Sequence, residues 1–345
     1  MDGSGFRLDR WSDRLVRESE RRHAYDGEAV ADWQRAFRAD LIETLGFADR
    51  AEVALDARRL ETTELADHER QKWEIRTEPG FRLPFYLLVP DEGSPPYPVA
   101  CTVHGHTPIG KELYVGRTET DEQRAHVEEE RRDVGLQAVR RGYAALVPDM
   151  RGFGELAAPE DRHAGGRSCQ PMQLRGQLVG RSLVGDRVWD FRRLLDFAES
   201  RPELDTERIA VTGNSGGGTV TLFSAAVDDR IDVAVPVSYF CTFADSIGSI
   251  PHCACNYVPG ILELGEMGDV AGLIAPRPFR AVHGREDDIF PVEATRRAFE
   301  RLEEIYDAAG APENCQLRVR DGGHRYYPEA AWPFIDAHLR ESPGQ

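Results

Sequence analysis

The sequence predicts an α/β protein, with a mostly parallel central sheet, helices on both faces and an N-terminal helical extension. Three observations carry this. Beyond about residue 95, short unbroken apolar runs alternate with longer stretches of helical periodicity, the pattern of parallel strands covered on both faces by crossover helices. Two long irregular segments, 152–180 and 242–272, leave what should be the carboxyl ends of strands, where such sheets carry their substrate-facing loops. The first sixty residues show helical spacing and charge instead of strand alternation.

From Leu8 to about Leu60 the chain is charged and helical, with Trp33, Phe37, Leu41 and Leu45 spaced to line one buried face. Lys72 to Arg76 and Phe81 to Pro90 read as an antiparallel hairpin around Pro79-Gly80, and SPPYP at 94–98 as a loop. The alternation then runs strand Val99 to His104, helix Gln123 to Arg141, strand Ala144 to Asp149, helix Ser182 to Ser200 and strand Arg208 to Gly213. It continues with helix Gly216 to Val227, strands Val233 to Tyr239 and Phe279 to His283, helix Ala294 to Ala309, strand Gln316 to Arg320 and helix Pro328 to Arg340. This organisation is an extension over residues 1–70 and one α/β domain over 71–345.

Composition narrows the function. With 41% hydrophobic and 30% charged residues in 345, the chain can bury a large core. A formal net charge of −17 argues against a phosphate-binding surface, so no nucleic-acid partner is expected. No apolar run reaches membrane-spanning length, and the polar N-terminus MDGSGFRLDRWSDRLVRESERR lacks a secretory signal's apolar centre, so no membrane partner and a cytoplasmic location are expected. Six cysteines scattered from 101 to 315 suit reduced thiols. Only two of the 43 basic residues, Lys72 and Lys111, are lysines. Oligomeric state stays open.

The chemistry begins at RIAVTGNSGGGTVTLFSAAV, 208–227, where a buried run breaks into glycines and resumes at once as an apolar helix. Gly213-x-Ser215-x-Gly217 between strand and helix is the context of a nucleophile elbow, which lifts Ser215 above the sheet at the positive end of a helix. A serine hydroxyl needs a base, and the base an orienting acid. His324 follows the last strand and Asp287 the strand ending at His283, so all three fall at strand carboxyl ends in the order Ser215, Asp287, His324. No cofactor is needed for that mechanism.

The stretches HGH at 104–106, PDMRGFGE at 148–155, GNSGGG at 213–218, APRP at 275–278, HGREDDIFP at 283–291 and GGH at 322–324 resemble the serine α/β-hydrolases, in particular the acetyl-xylan-esterase and dienelactone-hydrolase-like branch. The resemblance spans about residues 70–340 and implies an α/β-hydrolase fold. It assigns the triad acid to the first Asp after HGxx, Asp287, with Asp288 the alternative. It also places the second oxyanion donor after the first parallel strand, which gives the backbone N–H groups of His106 and Gly216. Dienelactone hydrolases proper use a cysteine nucleophile, so Ser215 moves this chain toward ordinary ester cleavage.

The remaining candidates are weighed against plainer roles. His104 and His106 are expected to pack and hydrogen-bond within their loop, because no carboxylate stands beside them at ligand spacing. HCACN at 252–256 has a C-x-C spacing that matches zinc sites poorly, so no metal is expected and the segment reads as a loop over the active-site mouth, with Tyr239, Phe240 and Tyr257 as substrate contacts. Arg151 is expected to anchor its loop through a buried ion pair. The expected activity is cleavage of a small carboxylic ester with a short acyl chain, acetyl by resemblance, since a cytoplasmic enzyme would not meet polymeric xylan. A peptidase or a carbon–carbon bond hydrolase on the same triad is the alternative. A non-catalytic binding protein of the same fold is a third reading, against which the complete nucleophile, base and acid positions argue.

Overall fold

The computed structural model describes residues 8–161 and 168–340. Its centre is a nine-stranded sheet of β1 (Arg58–Glu64), β2 (His68–Glu78), β3 (Phe81–Pro90), β4 (Tyr97–Val103), β5 (Ala144–Pro148), β6 (Leu204–Asn214), β7 (Val233–Val237), β8 (Phe279–Gly284) and β9 (Cys315–Arg320). The order across the sheet is β1-β2-β3-β5-β4-β6-β7-β8-β9. Pairings from β1 through β3 to β5 are antiparallel, and every pairing from β5 through β4 to β9 is parallel. This is an α/β-hydrolase fold, as the sequence predicts. From β4 the chain crosses first to β5 on one side and then to β6 on the other, which opens a crevice beyond the carboxyl ends of β4 and β6.

Alternation of strand faces explains the two cores. Val99, Cys101 and Val103 on β4 point to one side, against Phe191, Leu195, Val220 and Phe223 of the helices Leu183–Glu199 and Gly216–Val227. Ala100, Ala145 and Val147 point to the other, against Val134, Ala138, Trp332 and Ile335. Each large apolar side chain removed from water contributes about 1.5–3 kcal/mol. Among the described residues no helix is long and apolar enough to cross a membrane.

The N-terminal helix Val30–Leu45 buries Trp33, Phe37, Leu41 and Leu45, as their spacing predicts, and they enter the same core as the first face of the sheet. Polar bonds fix its position. Arg38 donates to the carbonyls of Ala226 and Leu273 at 2.9 Å each, and Gln34 Nε2 donates to Gly272 and Ala275 at 2.9 and 2.7 Å.

Three elements differ from expectation. β1 begins at the end of the segment expected to be helical to about Leu60 and runs on into residues expected to form no strand, because RRLETTE is exposed on both faces and carries no alternation. The expected boundary at residue 70 lies inside β2. The helix expected over 123–141 is two, Asp121–Glu130 and Val134–Val139. The first opens with a Thr120–Gln123 capping box and ends at Arg131, whose φ of 53° is incompatible with continuation. The segment 152–180 contains the helix Cys169–Gln177, and 242–272 contains a 3₁₀ turn at Ala254–Asn256. The two segments touch, Gln173 Nε2 donating to the Tyr257 carbonyl at 2.8 Å.

Candidate active site

Ser215 stands between β6 and the helix Gly216–Val227 with φ 57° and ψ −117°. For a residue with a Cβ this backbone costs about 1–3 kcal/mol, so its surroundings must enforce it. They do: the Ser215 N–H donates to the Val237 carbonyl at 2.9 Å, and the chain on either side is pressed against β4. A Cβ on Gly213 would come within 2.4 Å of the Val103 carbonyl oxygen, and one on Gly217 within 1.9 Å. The glycines are there because strand, turn and helix approach too closely for side chains.

The loops after β8 and β9 bring Asp287 and His324 together. His324 Nδ1 lies 2.8 Å from Asp287 Oδ2, while Asp287 Oδ1 accepts the backbone N–H groups of Ile289 and Phe290 at 3.0 Å each. Burial opposes ionisation of Asp287, but the hydrogen bond and charge of His324 and the backbone donor outweigh it and hold the carboxyl below its ordinary range. The Phe290 ring stacks on the His324 imidazole, centroids 5.9 Å apart, and fixes its plane. Asp288 is exposed. Ser215 and His324 line one cavity of about 300 Å³ together with Ile250, Pro251, His252 and Ile289.

The loop after β4 closes the other side of Ser215. A Cβ on Gly105 would lie 3.3 Å from that of Ser215, and one on Gly216 would lie 3.2 Å from His106 Nδ1. Thus His106 and Gly216 flank the serine, and among the described residues neither of their N–H groups donates to a backbone carbonyl outside the helices and strands. His104 is wholly buried. Its Nε2 accepts the Met150 N–H at 3.1 Å and its Nδ1 lies 2.8 Å from the Gly105 carbonyl, so it anchors the loop as expected.

Beneath that loop, charges are paired where they cannot reach water. Asp149 accepts the Lys111 ammonium and backbone N–H, both at 2.8 Å, and although burial raises its pKa, Lys111 and His104 bring it down to about 2. Glu155 accepts both lysines of the chain, Lys72 at 2.9 Å and Lys111. Arg151 forks onto Asp190 at 2.6 and 2.7 Å and reaches Glu78 at 2.6 Å, the buried anchor the sequence predicts.

The three expected substrate contacts are misplaced. Tyr239 and Phe240 are core residues, packed against Phe290 and Phe279, because the chain turns inward directly after β7. Tyr257 lies in a separate groove with Leu15 and Phe243, its hydroxyl donating to the Ile247 carbonyl at 2.9 Å. The cavity wall comes instead from Ile250, Pro251, His252 and Ile289. Ile289 had a readable signal, two residues after the acid; the others sit in a loop without periodicity.

The expectation of no metal also changes its footing. The spacing within HCACN is poor for a metal on its own, but the fold sets Cys253 and Cys255 beside His106 and Cys169, with one candidate ligand atom from each and all four atoms within 4.8 Å of one another. His106 does not simply pack within its loop; its Nε2 lies 3.2 Å from Cys255 Sγ.

A family model described as the Abhydrolase family matches residues 13–331. The chain is 27% identical over 295 residues to YtaP of Bacillus subtilis, named as a hydrolase, a match covering 83% of this chain and 92% of that protein. It is 25% identical over 223 residues to a 4-O-methyl-glucuronoyl methylesterase of Phanerochaete carnosa, covering 57% of this chain and 54% of that protein. Among solved structures, a Bacteroides fragilis protein assigned as an acetyl xylan esterase superposes with a TM-score of 0.75 at 20% identity, covering 95% of this chain and 85% of that one, a likeness of fold.

Proposed function

Because this chain belongs to the Abhydrolase family, we propose that it is a serine esterase that cleaves small carboxylic esters of short acyl chain through an acyl-enzyme. The observation that carries the reading is the forced backbone of Ser215 at a helix N-terminus, in one cavity with an imidazole whose far nitrogen is held by a buried carboxylate. Ser215 Oγ attacks the ester carbonyl while His324 Nε2 takes its proton. Asp287 accepts the Nδ1–H, fixes the tautomer and stabilises the imidazolium. Backbone N–H groups of His106 and Gly216 hold the oxyanion, His324 returns the proton to the leaving alcohol, and water releases the acyl group by the same steps reversed.

Short acyl groups fit a cavity of about 300 Å³ whose apolar wall beside Ser215 is confined to Ile250, Pro251 and Ile289. A second cavity of about 510 Å³ adjoins it, sharing His106, Pro251, His252 and Cys253 and bordered by Gln170 and Asp161. Its polar rim suits a hydroxyl-rich alcohol, so an acetylated sugar small enough for a cytoplasmic enzyme to meet is the substrate class we favour. The relative that acts as a methylesterase supports ester cleavage with the sugar on the acyl side instead.

A serine-directed phosphonate should label the protein at Ser215, and kcat/KM over acetyl to decanoyl esters should fall steeply beyond about four carbons. A preference for decanoyl esters would remove the short-acyl reading. Faster turnover of methyl uronate esters than of acetylated sugars would reverse the placement of the sugar.

A further inference from the structure

At the mouth of the cleft three thiols and an imidazole converge from segments far apart in the chain. Cys253 Sγ lies 3.2 Å from both Cys169 Sγ and Cys255 Sγ, and His106 Nε2 lies 3.2 Å from Cys255 Sγ. These sulfur separations are far beyond a disulfide's about 2.05 Å, and a disulfide would use only two of the three thiols. Zinc bonds of about 2.3 Å to sulfur and about 2.0–2.1 Å to nitrogen set tetrahedral ligand-to-ligand edges near 3.5–3.8 Å. The four atoms, spanning 3.2 to 4.8 Å, bracket that figure.

We propose that His106, Cys169, Cys253 and Cys255 form a closed Cys3His site for zinc. Local geometry supplies what the C-x-C spacing lacks: the 3₁₀ turn Ala254–Asn256 curls the chain so that both sulfurs face one centre. Soft thiolates with imidazole select zinc among common divalent ions. Each thiol gives its proton to solvent on binding, and three thiolates with a neutral imidazole leave the site one negative charge. The buried guanidinium of Arg187, whose charge reaches Cys255, opposes that negative charge. Asn256 supports the ligands, its Nδ2 reaching Cys255 Sγ at 3.9 Å while its Oδ1 accepts the Thr219 hydroxyl at 3.2 Å.

With all four positions taken by protein the ion has no open place for substrate, so its role is to hold shape. It joins the loop after β4, the helix Cys169–Gln177 and the turn after Cys253, three of the four segments that line the second cavity, the fourth being the stretch from Gly152 to Asp161 after β5. If the proposed oxyanion role of His106 holds, the ion also fixes the backbone that carries that donor.

Metal content tests the site independently of activity. The full chain, produced in zinc-supplemented medium and purified under reductant, should carry about one zinc per chain by mass spectrometry. After chelation, cobalt(II) should give the intense thiolate-to-metal absorption and tetrahedral visible bands of a Cys3His site. Cys169→Ser and Cys253→Ser should each drop bound zinc below about a tenth of an equivalent, and where a variant does not fold the wild-type cobalt spectrum decides. A wild-type protein with neither zinc nor the cobalt spectrum overturns the proposal. So does zinc retained by folded Cys253→Ser, or a Cys169–Cys253 disulfide in freshly purified protein.

Discussion

The Ser215–His324–Asp287 group and the His106–Cys169–Cys253–Cys255 cluster are neighbours, since His106 and Cys253 line both cavities, yet they are positioned by different means. Each member of the first follows a strand of one hydrogen-bonded sheet, so β6, β8 and β9 hold the three residues whether or not anything is bound. Of the four members of the second, His106 follows β4 directly, while Cys169, Cys253 and Cys255 come from two long insertions that meet each other through single bonds such as Gln173 to Tyr257. A strand-end site is preorganised by the fold; a loop-borne site needs its ligand to complete the arrangement.

The contrast is tested hardest at Ser215. Ser215→Ala should lower kcat about 10³-fold or more while leaving the fold and the metal content as they were; a folded variant with undiminished turnover would take the nucleophile away from Ser215. Asp287→Asn should follow, with a loss of about 10²–10³-fold, against less than about threefold for the exposed Asp288→Asn. The reverse order would move the acid to Asp288. Cys169→Ser separates the two regions: with the metal gone, kcat/KM should fall by only about tenfold, through misplaced loops, and the thermal midpoint by several degrees. A collapse as deep as that of Ser215→Ala would show that the cluster takes part in the chemistry. Smallest of all, Tyr257→Ala should change kcat/KM by less than about twofold, because its ring faces a different groove, and a larger loss would return Tyr257 to the substrate cleft.

The same contrast explains what could be read in the sequence. Ser215 is announced by glycines on both sides, a buried strand before and an apolar helix after, and Asp287 and His324 each follow a strand recognisable by its unbroken apolar run. Those signals are local, and so is the chemistry of a sharp turn. The cluster has no local signal: 63 residues separate His106 from Cys169 and 84 separate Cys169 from Cys253, and the remaining pair has the wrong spacing until a 3₁₀ turn bends it. Tyr239 and Phe240 carry an ambiguous signal for a related reason, since aromatic residues after a strand serve a cavity wall or a core equally well, and here both are buried in the core. β1 was hidden because an exposed edge strand needs no apolar face.

The seat of the helix Val30–Leu45 has a consequence for how the chain is made. Trp33 closes on the position of Gly272, Arg38 reaches the carbonyls of Ala226 and Leu273, and just before the helix the Tyr25 N–H donates to the Asp269 carboxylate, so these partners lie 188 to 244 residues downstream. At about 5–20 residues per second a ribosome needs on the order of ten to fifty seconds to reach them. Throughout that interval the apolar stripe of Trp33, Phe37, Leu41 and Leu45 is only partly covered, by Tyr25 against Trp33 and His23 against Phe37. The nascent chain is therefore most exposed to aggregation and to chaperones at its first long helix, whose cover begins with the segment at Ser182 and is completed only when Asp269 to Leu273 arrive.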